Sequence, residues 1–146
     1  MKVKLTSQDQ EKIIDVKIKI SGNDVVFSVG DNLSNAECEY HPERDELWVY
    51  HIITPEIQNR HKGYGSAILK AIERVAAVNG IAKVIGYYAP EDKHTFDAYT
   101  KNGYEVVSYK QYDKDADEYV EKIVNNFDFL EEDKEYIFLQ EWAERE

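Results

Sequence analysis

The hydrophobic period changes twice between residues 47 and 88, and this change constrains the fold more than any other feature. Residues 47–53 are apolar almost throughout, as expected of a central strand covered on both faces. Residues 66–79 place apolar side chains at helical spacing, and a second apolar run follows at 81–88. The order strand, loop, helix, strand predicts a βαβ unit with two parallel strands.

The sequence on either side of this unit predicts further elements of both kinds. Before it, alternating or apolar runs predict strands at residues 12–20, 25–29 and 36–40. After it, the pattern predicts in turn a helix, a strand, an extra helix and a last strand, at residues 90–102, 104–109, 119–127 and 135–139. We therefore expect one α/β domain over residues 1–146, in which helices pack on a mixed sheet.

The charge and the cysteine content argue against several classes of protein. The formal net charge is −11, which disfavours a nucleic-acid binder, since such a protein needs a surplus of Lys and Arg. Cys38 is the only cysteine, so neither an intrachain disulfide nor a structural zinc site is expected. No apolar run approaches the ~20 residues of a membrane span, and no signal-peptide core follows Met1. A soluble, cytoplasmic protein is the expectation.

The loop between the first predicted strand and helix combines two glycines with three basic residues. Gly63 and Gly65 permit a sharp turn and a close backbone approach, and the first N–H groups of the helix point at whatever binds there. Such a site favours an anion, and Arg60, His61 and Lys62 make a phosphate or pyrophosphate the expected ligand. The spacing matches neither a nucleoside-triphosphate loop nor a three-glycine dinucleotide fingerprint.

Two motifs in this order resemble those of the GNAT superfamily of acyl-CoA-dependent N-acetyltransferases. The first is R-x-x-G-x-G at residues 60–65, and the second is Y-x-K-x-G-Y at residues 99–104. The resemblance implies a mostly antiparallel central sheet whose βαβ unit binds acetyl-CoA, the acyl donor. It also implies that Tyr99 lies near the thioester sulfur and that the backbone of Ile53 pairs with the pantetheine arm. The implied coenzyme contacts are Ile53, Arg60, His61, Lys62, Gly63, Tyr64, Gly65 and Ser66.

Three features depart from the family pattern. The interval from residue 55 to Gly63 is about two residues longer than usual, so Gln58 competes with Arg60 for the phosphate side. Asp92 stands where many members have an asparagine, and a carboxylate cannot donate as an amide does, so that role is not transferred. The family usually inserts two helices over the acceptor site between its first strands. Here they are reduced to about residues 7–11, and residues 113–133 are the candidate replacement.

The implied reaction is the attack of a neutral amine on a thioester, which needs a base for the amine and a proton for the departing thiolate. Tyr99 is the candidate acid, because a phenol with a pKa near ~10 is protonated at neutral pH. Strand alternation would put His51 on one face with Leu47, Val49 and Ile53. His51 is the candidate base because it titrates near neutrality, although a hydrogen-bonded core histidine is the alternative interpretation. Weaker candidates for the base are Glu37, Glu39 and Glu46.

The sequence therefore suggests an N-acetyltransferase that uses acetyl-CoA and a primary amine by direct transfer in a ternary complex. The alternative is a non-catalytic module that keeps the fold, binds CoA and holds a protein partner. We expect no metal, since His94 beside Asp92 or Asp97 is typical of a solvated surface.

The acidic residues are concentrated at the C-terminal end. Residues 113–146 hold thirteen carboxylates against four basic residues. This segment is either a solvated face or a means of attracting a cationic acceptor. The oligomeric state stays open, including a homodimer.

Overall fold

The structure, a computed structural model, describes residues 1–7, 9–55, 62–88, 92–108, 118–124 and 129–139. These residues are organised around one sheet of eight strands. The strands are β1 Lys2–Ser7, β2 Gln10–Ser21, β3 Asp24–Val29, β4 Ser34–His41, β5 Glu46–Ile53, β6 Lys83–Gly86, β7 Glu105–Ser108 and β8 Glu118–Ile123. The helices are α1 Tyr64–Val78, α2 Lys93–Lys101 and a 3-10 helix at Glu131–Tyr136. Neither α1 nor α2, the α-helices of the described residues, is long and apolar enough to cross a membrane.

The sheet is mostly antiparallel, in the order β1-β2-β3-β4-β5-β6-β8-β7. The strands β5 and β6 form its parallel pair, with registers from Glu46↔Lys83 to Val49↔Gly86, which confirms the predicted βαβ unit. Helix α1 packs across the sheet and buries Ile68, Leu69 and Ile72 completely. Burial of each such side chain stabilises the fold by about 1.5–3 kcal/mol.

A direct hairpin joins β1 and β2, as the expected reduction of the N-terminal helices requires. The two strands pair from Lys2↔Asp15 to Ser7↔Gln10, so the described residues 1–7 and 9–55 contain no helix. Asp9 in the turn has a φ of 63°, a left-handed conformation that aspartate tolerates better than most residues. No roof over an acceptor site is therefore built from this part of the chain.

The extra helix predicted at residues 119–127 is wrong over the part that the structure describes. Residues Glu118–Ile123 form β8, which pairs with β6 through Gly86↔Val120 and with β7 through Val106↔Val120. A short apolar run fits either period, and here the open edge of β6 decides, because its backbone groups gain partners from β8. Residues 125–128 lie outside the described residues.

The last strand, predicted at residues 135–139, is also wrong. Residues Glu131–Tyr136 form the 3-10 helix, which packs on α1, and 137–139 follow without regular structure. Their backbone is satisfied by a side chain instead of a strand, since Asn79 Oδ1 accepts hydrogen bonds from the N–H groups of Phe138 and Leu139 at 2.8 and 3.1 Å.

A buried ion pair fixes the 3-10 helix to α1. The carboxylate of Asp133 accepts from Arg74 Nε at 2.8 Å and from Arg74 Nη2 at 2.6 Å, and it caps the N–H of Leu130 at 2.9 Å. Arg74 lies nine residues beyond Gly65, about 14 Å along the helix axis. The acidic residues 131–133 therefore lie far from the glycine loop, and Asp133 is buried rather than exposed.

Candidate active site

A cleft of about 430 Å³ opens between the end of β5, the start of α1 and one side of α2. Its lining residues are Ile52, Ile53, Thr54, Gly63, Tyr64, Gly65, Ser66, Asp92, His94, Thr95, Asp97, Ala98 and Lys101. Five of the eight residues predicted to contact the coenzyme therefore meet in one cleft, namely Ile53, Gly63, Tyr64, Gly65 and Ser66. Lys62 is described but does not line the cleft, and Arg60 and His61, like Gln58, lie outside the described residues, so the roles of these residues stay predictions.

The sheet splits at the mouth of this cleft. The last parallel pair is Val49↔Gly86, and one more hydrogen bond follows, from the N–H of Tyr87 to the carbonyl of Val49 at 3.1 Å. Strand β5 continues to Ile53, whereas β6 ends at Gly86. Beyond Val49, the edge of β5 that faces β6 therefore has no strand partner within the described part of the chain. The Ile53 carbonyl accepts from Ser34 Oγ at 3.1 Å, and a carbonyl keeps a second lone pair for a ligand.

The N-terminus of α1 has the features of an anion site. Gly63 is the N-cap with a φ of 85°, and the first intrahelical bond runs from Ala67 N to Gly63 O at 2.9 Å. The N–H groups of Tyr64, Gly65 and Ser66 therefore lack partners inside the helix, and no described side chain caps it. The first turn also contains no acidic residue, so the positive end of the helix dipole is not neutralised.

Gly65 leaves space for a ligand at this helix end. A Cβ atom built on Gly65 would meet no heavy atom within 4 Å, and the residue lines the cleft. By contrast, a Cβ on Gly63 would come within 2.9 Å of Leu5 Cδ1. The left-handed φ of 85° is what favours glycine at residue 63, since the end of the Leu5 side chain can shift, whereas Gly65 keeps the cleft open.

Two further cations lie beside the cleft, and the sequence reasoning assigned neither of them to the site. Lys101 lines the cleft from the last turn of α2. Lys12 of β2 donates from Nζ to the carbonyl of Lys62 at 2.9 Å and lies 5.5 Å from the ring centroid of Tyr64. Lys101 is inside the second motif and could have been noticed there, but Lys12 is 50 residues away in sequence and only the fold brings it to the loop.

Tyr99 lies beneath the point where the two strands separate. A Cβ placed on Gly86 would come within 2.6 Å of Tyr99 Cε1 and Cζ, so the absence of a side chain at Gly86 makes room for the ring. The phenol is completely buried, and its Oη is a buried polar atom without a hydrogen-bond partner among the described residues. Burial raises the pKa of Tyr99 far above its ordinary value, with a smaller contribution from Cys38, so the hydroxyl holds its proton.

The structure corrects the face on which His51 lies. The register between β4 and β5 runs from Cys38↔Val49 to Glu37↔His51, which leaves Tyr50 as the extra residue of a β-bulge. The extra residue inverts the alternation after it, so His51 pairs with Glu37 on the face opposite Val49. Ile52 takes the place that was predicted for His51 and packs against the core. His51 is half-buried, and its role as a base stays a prediction.

Two other titratable groups have structural explanations. Asp92 is the N-cap of α2, where it accepts from Thr95 N at 3.1 Å and from Thr95 Oγ1 at 2.7 Å. The hydrogen bonds from Thr95 hold the pKa of Asp92 below its usual range. Cys38 is buried, and burial together with the neighbouring Glu37 raises the pKa of its thiol. Within the described ranges, no group of three or more His, Cys, Asp or Glu side chains is arranged to hold a metal ion.

No family sequence model matches this chain, and no curated protein does. Solved structures match its fold. An acetyltransferase of the GNAT family from Staphylococcus aureus Mu50 aligns with a TM-score of 0.60 and 7% identity over 71% of this chain and 70% of that one. The ribosomal-protein-S18-alanine N-acetyltransferase from Escherichia coli aligns with a TM-score of 0.52 and 14% identity over 72% and 70% of the two chains.

A third match has a bound ligand. The PaiA N-acetyltransferase from Thermoplasma acidophilum, solved in complex with coenzyme A, aligns with a TM-score of 0.55 and 20% identity over 67% of this chain and 59% of that one. These matches show the fold of the chain. The chain has the fold of the GNAT superfamily of acetyltransferases, as its two motifs predict.

Proposed function

We propose that this protein is an acetyl-CoA-dependent N-acetyltransferase that acetylates a primary amine by direct transfer in a ternary complex. The observation that supports it most is the uncapped N-terminus of α1, which opens into the cleft where β5 and β6 separate. An anion-binding helix end and an unpaired strand edge in one cleft suit a ligand with a pyrophosphate at one end and amide groups along its arm.

The residues of the cleft fit acetyl-CoA. The N–H groups of Tyr64, Gly65 and Ser66 can hold the pyrophosphate, and Lys62 and Lys101 supply positive charge beside them. The β6-side edge of β5 near Ile53 can pair with the pantetheine amides, as the resemblance implies. When bound, acetyl-CoA supplies an activated acyl group whose carbon–sulfur bond breaks as a carbon–nitrogen bond to the amine forms.

The two sides of the split provide the groups that move protons. Tyr99 holds a proton at Oη beneath the split; to protonate the leaving thiolate, the bound thioester must reach this buried hydroxyl, which does not line the cleft. His51 and Glu37 lie together on the opposite face and can accept the proton that the amine loses. The single thiol of the chain, Cys38, is buried with a raised pKa and cannot serve as a nucleophile. Direct transfer therefore agrees with the residues present better than an acyl-cysteine route.

A non-catalytic CoA-binding module is the second candidate, and one observation favours it. The β1–β2 hairpin takes the place in the chain where the family usually has the helices that roof the acceptor site. If this module is the function, CoA would bind, but no amine would cause release of the thiol from acetyl-CoA.

A single set of measurements tests both candidates. The purified chain is titrated with acetyl-CoA by calorimetry and then incubated with acetyl-CoA and a panel of primary amines, while free thiol and acetylated product are measured. Binding together with amine-dependent thiol release supports the enzyme, and binding without release supports the module. Absence of binding would refute both.

A further inference from the structure

The face of the sheet opposite α1 presents an aromatic surface, formed by Trp48, Tyr50 and Tyr87, at the point where β5 and β6 separate. Trp48 alternates with the buried Leu47 and Val49, so it lies on the other face. The rings of Tyr50 and Tyr87 are nearly parallel, 8° apart with centroids at 6.2 Å, and Trp48 lies 5.5 Å from Tyr87. Tyr50 is 45% exposed, so its ring is open to solvent, whereas the ring of His41 stacks on that of Trp48 at a centroid distance of 3.8 Å.

Carboxylates border this aromatic surface and give it a negative character. Glu39 accepts a hydrogen bond from Tyr50 Oη at 3.0 Å, and Glu46 accepts one from Trp48 Nε1 at 3.0 Å. Aromatic faces carry negative potential, so rings bordered by carboxylates attract a cation. Two basic side chains of the chain already lie here: the guanidinium of Arg44 is 5.8 Å from the Trp48 ring centroid, and His41 Nε2 is 2.9 Å from a carboxylate oxygen of Glu39.

The aromatic surface and the cleft meet at the same break in the sheet, from opposite faces. Tyr50 is the bulged residue of β5 and follows Val49, which forms the last pair with β6. Tyr87 follows β6 and donates the last hydrogen bond between the two segments, to the carbonyl of Val49. The uncapped helix end lies on the α1 face, where it favours an anion. A cationic ligand on the aromatic surface would therefore reach the split from the side that the anionic coenzyme does not occupy.

Two requirements of the reaction define the class of this ligand. A nitrogen held by cation–π contacts and carboxylates is protonated, whereas a nitrogen that attacks a thioester must be neutral. A nitrogen that stays on the surface as an ammonium cannot attack, so a ligand that remains held there during the transfer needs a second nitrogen. Trp48 precedes Tyr50, the residue beside the split, by two residues, or about 7 Å along the strand. The two nitrogens of a butane- or pentane-diamine can be separated by about this distance, so one can lie near Trp48 while the other lies at the split.

We propose that the aromatic surface binds the charged, non-reacting ammonium of an aliphatic diamine or polyamine, whose other amine is acetylated at the split. This rests on the proposed function for the fate of the second amine. The capture of the ammonium is independent of it.

Tryptophan fluorescence tests the capture directly. The chain has two tryptophans, so Trp142→Phe leaves Trp48 as the reporter. We expect 1,4-diaminobutane to change this fluorescence saturably, and 1-aminobutane and 1,4-butanediol to bind more weakly. Tyr50→Leu and Glu39→Gln should each raise the Kd for the diamine by about 2- to 30-fold, the range expected for the loss of a cation–π contact or of an exposed charge contact. Both sites are partly exposed, so thermal denaturation should show folded variants.

Glu11→Gln is the matched control, since Glu11 is an exposed glutamate on β2 that pairs with Lys4 at 3.0 Å. It should bind the diamine like the parent. Equal binding by Tyr50→Leu and the parent, or stronger binding of the diol than of the diamine, would overturn the proposal. So would thiol release with monoamines as fast as with diamines in an active enzyme. Saturable diamine binding without thiol release would support the surface and refute the transferase.

Discussion

Gly65 offers a way to separate coenzyme binding from folding. The space beside its Cα atom is open, and its φ is not in the left-handed region. Gly65→Ala therefore adds a methyl group that clashes with no atom of the described residues. Alanine is favoured over glycine inside a helix by up to about 1 kcal/mol. For a chain of 146 residues that corresponds to a rise in Tm of up to about 3 °C.

The same methyl group should weaken the binding of CoA. It would occupy the space through which the pyrophosphate oxygens approach the N–H groups of the first turn. Loss of one hydrogen bond to a charged group costs about 1.5–3 kcal/mol, so the Kd for CoA should rise by about 10- to 100-fold. Stability and affinity therefore change in opposite directions, which a general disturbance of the fold cannot produce.

Gly63→Ala is the contrasting variant. Its left-handed φ of 85° and the 2.9 Å approach to Leu5 Cδ1 should cost about 1–2 kcal/mol of folding free energy, or a fall in Tm of about 3–6 °C. Calorimetry with CoA and thermal denaturation of both variants make the comparison. If Gly65→Ala binds CoA as tightly as the parent, the assignment of the cleft to the pyrophosphate is refuted.

Three further predictions concern single side chains. Tyr99→Phe removes a buried hydroxyl that has no hydrogen-bond partner among the described residues, so Tm should be unchanged or higher, while kcat for the best amine falls by about 10- to 10⁴-fold; an unchanged kcat would limit Tyr99 to packing. Asp133→Asn removes the buried charge that pairs with Arg74 and should lower the free energy of unfolding by about 3 kcal/mol in urea titrations; a loss as small as that of Glu131→Gln, whose exposed side chain pairs with Lys134, would contradict the anchoring role. Asp92→Ala should cost about 1 kcal/mol at pH 7. Because the folded-state pKa of Asp92 is lowered, this difference is fully present above its unfolded-state value and should disappear as the pH falls through the folded-state value; a pH-independent difference would disprove the cap.

The sequence by itself determined the parts that depend on local order along the chain. The apolar strand, the two glycines and the helical spacing after them are contiguous, so the βαβ unit and its loop follow from residues 47–88 without knowledge of the rest. The pattern at residues 90–102 likewise predicted a helix, which the structure shows as α2 and on which Tyr99 lies. What these segments have in common is that their partners are near in sequence.

The tertiary structure decided what depends on distant partners. The bulge at Tyr50 exists only against β4, and it moved His51 to the face of Glu37, which alternation along β5 alone could not predict. Residues Glu118–Ile123 form a strand because they pair with the edge of β6. Asp133 is buried, unlike its acidic neighbours in sequence, because it pairs with Arg74. Register, edge pairing and buried ion pairs are properties of two segments at once, and the periodicity of one segment does not contain them.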